Sequence, residues 1–311
     1  MGTVLILIGI AGFCIAMTAK NWNFKNISTV KLVTNTWDIR EDFHSISIDS
    51  DTETIRFVPS DHGTCRIEFL EEEKVKHTAE VKNGVLNITS TDTRNWTDRI
   101  AVFSTESPAI TLYLPAGGYQ ALTISETTGD VELPKDFSFE SIDIHASTGD
   151  VDCYASASGH LQIRLNTGDI QLGQVSAKDV TLKVSTGHVD VSDLQCSGHL
   201  DLTVSTGRSE LRDISCGSFS TDGDTGDITM KNLIAEERIS IERSTGRVKF
   251  EGCDAGELFI TTDTGDVSGS LLSDKVFITK SDTGHVDVPK TITGGRCEIT
   301  TDTGDIRITV D

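Results

Sequence analysis

Aromatic side chains are scarce in this chain, 6% of 311 residues, and prolines number only 5. That scarcity argues against a thick globular core, and the 27 glycines suit thin layers of small and β-branched residues instead. Basic residues are short as well, 27 against 48 acids, for a formal charge of −21. A field of that sign repels phosphate backbones and excludes nucleic acid as a partner. The seven cysteines (Cys14, Cys65, Cys153, Cys196, Cys216, Cys253, Cys297) include no CxxC pair. Zinc ribbons and dithiol redox motifs are thereby excluded, while isolated bridges stay open. Cys14 sits in an apolar leader, and most of the other six are expected as small buried hydrophobes. HExxH, P-loop, dinucleotide and Ser-His-Asp signatures are absent too.

What the chain has in abundance is one phrase. A Thr-Gly pair recurs with its glycine at Gly129, Gly149, Gly168, Gly187, Gly207, Gly226, Gly246, Gly265, Gly284 and Gly304, at intervals of 19 or 20 residues. So short and regular a period marks stacked supersecondary units, each too small to bury an apolar face alone. Apolar residues fall two and four positions after the glycine, as Val151 and Cys153, Ile170 and Leu172, Val189 and Val191. A longer alternation such as Val180, Leu182, Val184 closes each unit. Period two with phase breaks predicts short strands separated by corners, and helical spacing never persists. The expected fold is all-β: a right-handed parallel β-solenoid of 19–20-residue rungs over residues 119–311. Leu194, Leu202 and Val204 are expected to point inward with Val189 and Val191.

Residues 44–118 read as an irregular β module capping the N-terminal end of the array. Ile46, Ile48, Ile55 and Phe57 alternate around a polar turn and suggest a degenerate first rung. Asn83-Gly84 between apolar alternations predicts a tight hairpin. At the other end, Ile306–Val310 closes the chain without an evident cap and is expected to be an open edge, a candidate for self-association.

Ahead of these lie a linker, 20–43, and an uncharged stretch, 2–19. Eighteen residues rising about 1.5 Å each reach roughly 27 Å, near the lower limit of a membrane span. Residues 1–19 are therefore expected to be an uncleaved transmembrane anchor. A cleaved signal peptide or a buried helix are the alternatives, although no basic residue precedes Val4 and no Ala-x-Ala site stands out. Lys20, Lys25 and Lys31 after the segment favour a cytoplasmic solenoid by the positive-inside rule. Large acidic repeat domains behind such anchors favour export, and the expectation here is export.

The Thr-Gly corners carry the only site-like chemistry. Four spell Asp-Thr-Gly, at Asp224, Asp263, Asp282 and Asp302, the tripeptide with which aspartic proteases pair two carboxylates. Copies one turn apart on a polar edge lack the two apolar lobes such chemistry needs. The residue after each glycine forms a column that is acidic at first, Asp130, Asp150 and Asp169, and mixed with His and Arg from His188 onward. Those three aspartates are the one candidate metal site, for a hard cation such as Ca²⁺; a solvated acidic face is the plainer reading. Cys196 and Cys216 fall at the same offset in adjacent rungs and are expected to stack as thiols. Neither cofactor nor catalytic residue is expected.

The reiterated corner, as in Ser147-Thr148-Gly149-Asp150-Val151 and Asp263-Thr264-Gly265-Asp266-Val267, resembles the bacterial "putative adhesin" family of β-strand-repeat proteins, a domain of unknown function. The resemblance covers about residues 40–311. It implies an N-terminally anchored solenoid of a Gram-positive bacterium, with links to adhesion and envelope-stress sensing and no catalytic residues to carry over. The functional expectation is a membrane-anchored, cell-surface, non-catalytic solenoid serving as adhesin, envelope scaffold or stress-signalling component. An envelope protein or a glycan would be its partner. The alternatives are a carbohydrate-active β-helix enzyme and a cytoplasmic, membrane-tethered scaffold.

Overall fold

In the computed structural model of the chain, the described residues are 18, 32–60, 63–95 and 106–311. Apart from Thr18, the expected anchor at 1–19 lies outside them. Among the described residues no helix is long and apolar enough to cross a membrane. From residue 32 onward every regular element described is a strand, stacked as a solenoid of about ten turns.

The stack is held by parallel pairing of each rung to the next. One inward column runs Ile46, Leu122, Ile142, Leu161, Val180, Leu200, Phe219, Ile239, Leu258, Cys297, Phe277, each in register with its neighbours. All but the last are buried. Full burial of a Leu or Ile contributes about 1.5–3 kcal/mol, so one such residue per rung from several columns supplies the core that no single rung possesses. Val189, Val191, Leu194, Leu202 and Val204 all point inward, as expected.

Two corners of the rung are written in residue types. At the Thr-Gly corner the glycines stack on one another. Gly187 has φ 150°, and a Cβ there would collide with the Gly168 carbonyl oxygen, so the contact between turns admits only glycine. Six residues after Gly168, Gly187, Gly207, Gly226 and Gly246 comes a second corner with φ of 52–62°, at Gln174, Asp193, Asp213, Asn232 and Gly252. Asn, Asp and Gly are the types that tolerate the left-handed region, which explains a column the apolar pattern left unread.

At the N-terminal end, β1 (Leu32–Ile39), β2 (Ser45–Ser50), β3 (Thr54–Ser60), β4 (Cys65–Glu72), β5 (Val75–Lys82), β6 (Val85–Asp92), β7 (Ala109–Pro115), β8 (Gly117–Thr128) and β9 (Val131–Leu133) form the first turns and their cover. Strands β2 and β3 are a true rung, lying parallel on β8 and β9. Outside them β6 and β7 add a further parallel layer. The pairing then turns antiparallel, β5 on β6 and β4 on both β7 and β1. The β5–β6 hairpin turns at Asn83 (φ 53°) and Gly84 (φ 75°), as the sequence predicts. The second half of the stretch read as a linker forms β1. Its pairing to β4 is continuous, but residues 33–38 are exposed and so carry no apolar period.

The far end departs from sequence order. Strand Gly295–Thr303 pairs with Val248–Thr264 on one side and with Lys275–Thr283 on the other. Likewise Ile306–Val310 lies between Val267–Leu271 and Val286–Asp287. The last rung of the chain is thus the penultimate rung of the stack, and the rung at 275–287 is outermost. Of the expected terminal edge Ile306–Val310, Ile306 and Arg307 are therefore covered, while among the described residues 308–310 pair on the inner side only. The inward residues supply a reason. Register sets Cys297 on Phe277, Ile299 on Thr279 and Ile306 on Val286, and the first of each pair is buried while the second is only partly covered or exposed. The more apolar rung occupies the covered level. Pro289 follows the short Val286–Asp287 strand, and without an N–H it is a poor residue for prolonging a ladder.

Candidate functional site

The corner column is a hydrogen-bonded ladder. Asp130 Oδ1 accepts from Asp150 N at 2.9 Å, Asp150 Oδ1 from Asp169 N at 2.8 Å, and Asp169 Oδ1 from His188 N at 2.7 Å. The same bond recurs as Arg247 N to Asp227, Asp305 N to Asp266 and His285 N to Asp305. A carboxylate accepting the backbone N–H of the next turn gives the aspartates a structural role that needs no ligand. The candidate Asp130, Asp150 and Asp169 do fall on one edge in consecutive turns. Among the described residues no group of three or more His, Cys, Asp or Glu is arranged to hold a metal ion. Arg247 donates to Asp227 Oδ2 as well, and these bonds hold the Asp227 carboxyl below its ordinary range. The four Asp-Thr-Gly carboxylates, Asp224, Asp263, Asp282 and Asp302, are all exposed rather than paired in an apolar cleft.

Cys196 and Cys216 stand in register, and the six described cysteines are buried and free. Burial pushes the Cys216 thiol up to about 12, so it packs as a hydrophobe rather than reacting as a thiolate.

Chemistry that sequence reading missed lies inside the cap. His77 is stacked on Phe69 and held between two acids, with Nδ1 2.8 Å from Glu71 Oε2 and Nε2 3.4 Å from Glu53 Oε1. Glu53 also accepts from Ser50 Oγ (2.6 Å) and from the backbone of Asp51 and Thr52. Glu71 is further held by Lys76 Nζ and Asn35 Nδ2. Burial opposes ionisation of Glu53, but the close His77 ring and the hydrogen bonds from Ser50 and Thr52 outweigh it and hold the carboxyl down to about 2. Burial likewise works against charging His77, and its bonds to Glu53 and Glu71 raise it regardless. Glu126, beside them, accepts only from Thr128 N, and its Oε2 has no partner. Burial, with the Glu53 charge adding to it, pushes Glu126 up to about 8.

The signal for these residues was parity. Cys65, Ile67 and Phe69 alternate inward, and Glu71 continues them; Val75, His77 and Ala79 do the same, as do Leu122, Ile124 and Glu126. Arg243 follows Ile239 and Ile241 inward in the same way, in space that Gly223 leaves open, and burial lowers its guanidinium.

A stack of parallel rungs stitched by corner ladders, with its titratable cluster sealed inside a cap, defines a β-solenoid repeat protein. The chain belongs to the Toastrack DUF4097 family, which matches residues 43–207 and 197–311. This agrees with the resemblance carried by the repeat corners. A solved "putative adhesin" from Bacteroides fragilis NCTC 9343 is 15% identical, covers 90% of this chain and 97% of its own, and superposes with a TM-score of 0.47. A "putative lipid binding protein" from Parabacteroides distasonis ATCC 8503 is 12% identical over 89% of this chain and 96% of its own, at 0.38. A "putative adhesin" from Parabacteroides merdae ATCC 43184 is 12% identical over 91% and 98%, at 0.34. No curated protein matches the chain.

Proposed function

We propose that this protein is a non-catalytic display module: a right-handed solenoid, anchored by residues 1–19 and exposed at the cell surface. There it serves adhesion, envelope scaffolding or envelope-stress signalling through an envelope protein or glycan. One observation carries the reading. Four titratable groups whose protonation the fold shifts, Glu53, Glu71, His77 and Glu126, are enclosed at the capped end at 1–4% exposure. The exposed carboxylates of the corner column, by contrast, are engaged by the next turn. A hydrolase or lyase needs its acid, base or metal within hydrogen-bond reach of substrate, and these groups are placed for stability instead. The domain reading that goes with it is an anchor at 1–19, a linker at 20–43, a cap at 44–118 and the array at 119–311.

The test is fractionation of cells expressing the full chain, followed by protease treatment of intact cells. The expected result is a membrane-bound protein released only by detergent, whose solenoid is lost to external protease. Release without detergent overturns the anchor. Protection of the solenoid on intact cells overturns the surface location in favour of a cytoplasmic scaffold, the arrangement that Lys20, Lys25 and Lys31 favour.

A further inference from the structure

The outer end of the stack is an unfinished sheet. Among the described residues, strand Lys275–Thr283 pairs along one side only, with Gly295–Thr303. Its outward face carries Val276 and Ile278, 36% and 49% exposed, and near it Leu272, Val286 and Ile292 are exposed as well. The inward residue Phe277 is only partly covered. Exposed apolar strands of this kind are templates for pairing, which most proteins suppress with charge, proline or a covering loop.

We propose that two copies of this chain join end to end through strand Lys275–Thr283, pairing antiparallel about a twofold axis. A twofold axis lets one edge complement itself and closes the assembly at two. Charge selects a second copy as the occupant. The chain carries −21 overall, so like surfaces repel, yet residues 272–295 hold three lysines (Lys275, Lys280, Lys290) and three aspartates (Asp274, Asp282, Asp287). The outer rung is the neutral end of an acidic rod.

Facing residues in antiparallel strands share a face, and that parity limits the register. Centring the axis on Phe277 sets Val276 opposite Ile278 of the second copy and Lys280 opposite Asp274 of the second copy. Apolar meets apolar and each lysine meets an acid, the pairings that stabilise a sheet. Lys280 is now 2.8 Å from Asp282 of its own strand, and Asp274 is exposed. Lys275 takes no part, since it is buried against Asp254 and Ser273.

The geometry has a consequence for display. The cap stands at the opposite end of a stack about ten levels tall, roughly 48 Å at about 4.8 Å per level. End-to-end pairing puts the two caps at the far ends of the assembly, so a dimer of anchored chains bridges two surfaces rather than linking neighbours on one. This last step rests on the anchored reading; the dimer itself does not.

Sedimentation of the full chain in mild detergent, over a wide concentration range, tests the dimer. The expected result is a doubling of protein mass with concentration. That doubling should be lost in Val276→Asp/Ile278→Asp, with melting temperature unchanged because both side chains are exposed. Lys280→Asp should also abolish the dimer, and adding Asp274→Lys should restore it. A monomer at every concentration overturns the proposal, and so does a dimer that survives Val276→Asp/Ile278→Asp. Loss in Lys280→Asp without rescue overturns the register. Vesicles carrying the full chain should cluster and the double variant's should not. A dimer in detergent whose chain does not stay with vesicles supports the pairing and refutes the anchor.

Discussion

The two ends of the solenoid solve the same problem differently. At the N-terminal end the parallel ladder is covered by antiparallel strands, and Ile67 and Phe69 of that cover are fully buried together with Leu112 and Ile110, their partners on β7. At the other end the final inward residues are Phe277, Thr279 and Ser281, partly open, and nothing described pairs with the outer side of their strand. Repeat arrays require polar caps for solubility, and among the described residues such a cover stands at the N-terminal end only. Polarity within a uniform stack arises from its terminal rungs.

Paired truncations should break that comparison most sharply. Ile110→Ala, in the cap, is expected to cost about 2–5 kcal/mol through lost burial and a residual cavity. Ile278→Ala, at the open end, should stay within about 0.5 kcal/mol for the isolated protein. Denaturant unfolding of both variants at low protein concentration checks the contrast. Equal costs would mean that the outer rung is as well packed as the cap.

The closed end should also be the pH-sensitive one. Glu126 and His77 are raised in the fold, so their contributions are complete below the ordinary values of 4.5 and 6.5 and fade as pH climbs toward and past 8. Glu53 and Glu71 are lowered, so theirs are complete above 4.5 and fade as pH falls. Stability therefore peaks near pH 4.5 and falls above it, through Glu126 first and His77 from about 6.5, and the loss on the alkaline side is on the order of a few kcal/mol. Melting temperatures measured across this range should fall toward pH 8, and Glu126→Gln should flatten that fall. An unchanged slope in the variant would show that Glu126 ionises freely in the folded protein.

The smallest effect belongs between the two ends. Asp169→Ala removes one exposed acceptor in the corner ladder and should cost about 0.5–1.5 kcal/mol. Because the ladder already uses Asp130, Asp150 and Asp169, Ca²⁺ at the about 10⁻⁴–10⁻³ M typical of open extracellular sites should leave the melting temperature unmoved. A rise on adding Ca²⁺, abolished by Asp150→Asn, would make the column a cation site.

Much of this was legible because each rung repeats its own instructions. The corner glycines gave the period, and parity from Val151 to Phe250 gave the inward face. The degenerate rung at Ile46–Phe57 and the hairpin at Asn83-Gly84 followed from the same rules. Spatial order was not legible, because Thr-Gly spacing counts turns along the chain and says nothing of which turn lies outside. Only the contrast of Thr279 with Ile299, its partner in register, points to it. The cluster at Glu53, Glu71, His77 and Glu126 escaped because a charge at an inward position reads as a strand end. Its partners come from separate strands that only the folded cap brings together.

The contrast between a closed and an open end is tested most directly by hydrogen exchange along the full chain, made monomeric by Val276→Asp/Ile278→Asp. Amides of Gly295–Thr303, covered on both sides, should exchange slowly, as should those of β7. Amides on the outer side of Lys275–Thr283 should exchange fastest of the array, although that strand comes earlier in the chain. Faster exchange in Gly295–Thr303 than in Lys275–Thr283 would place the rungs in sequence order and contradict the account.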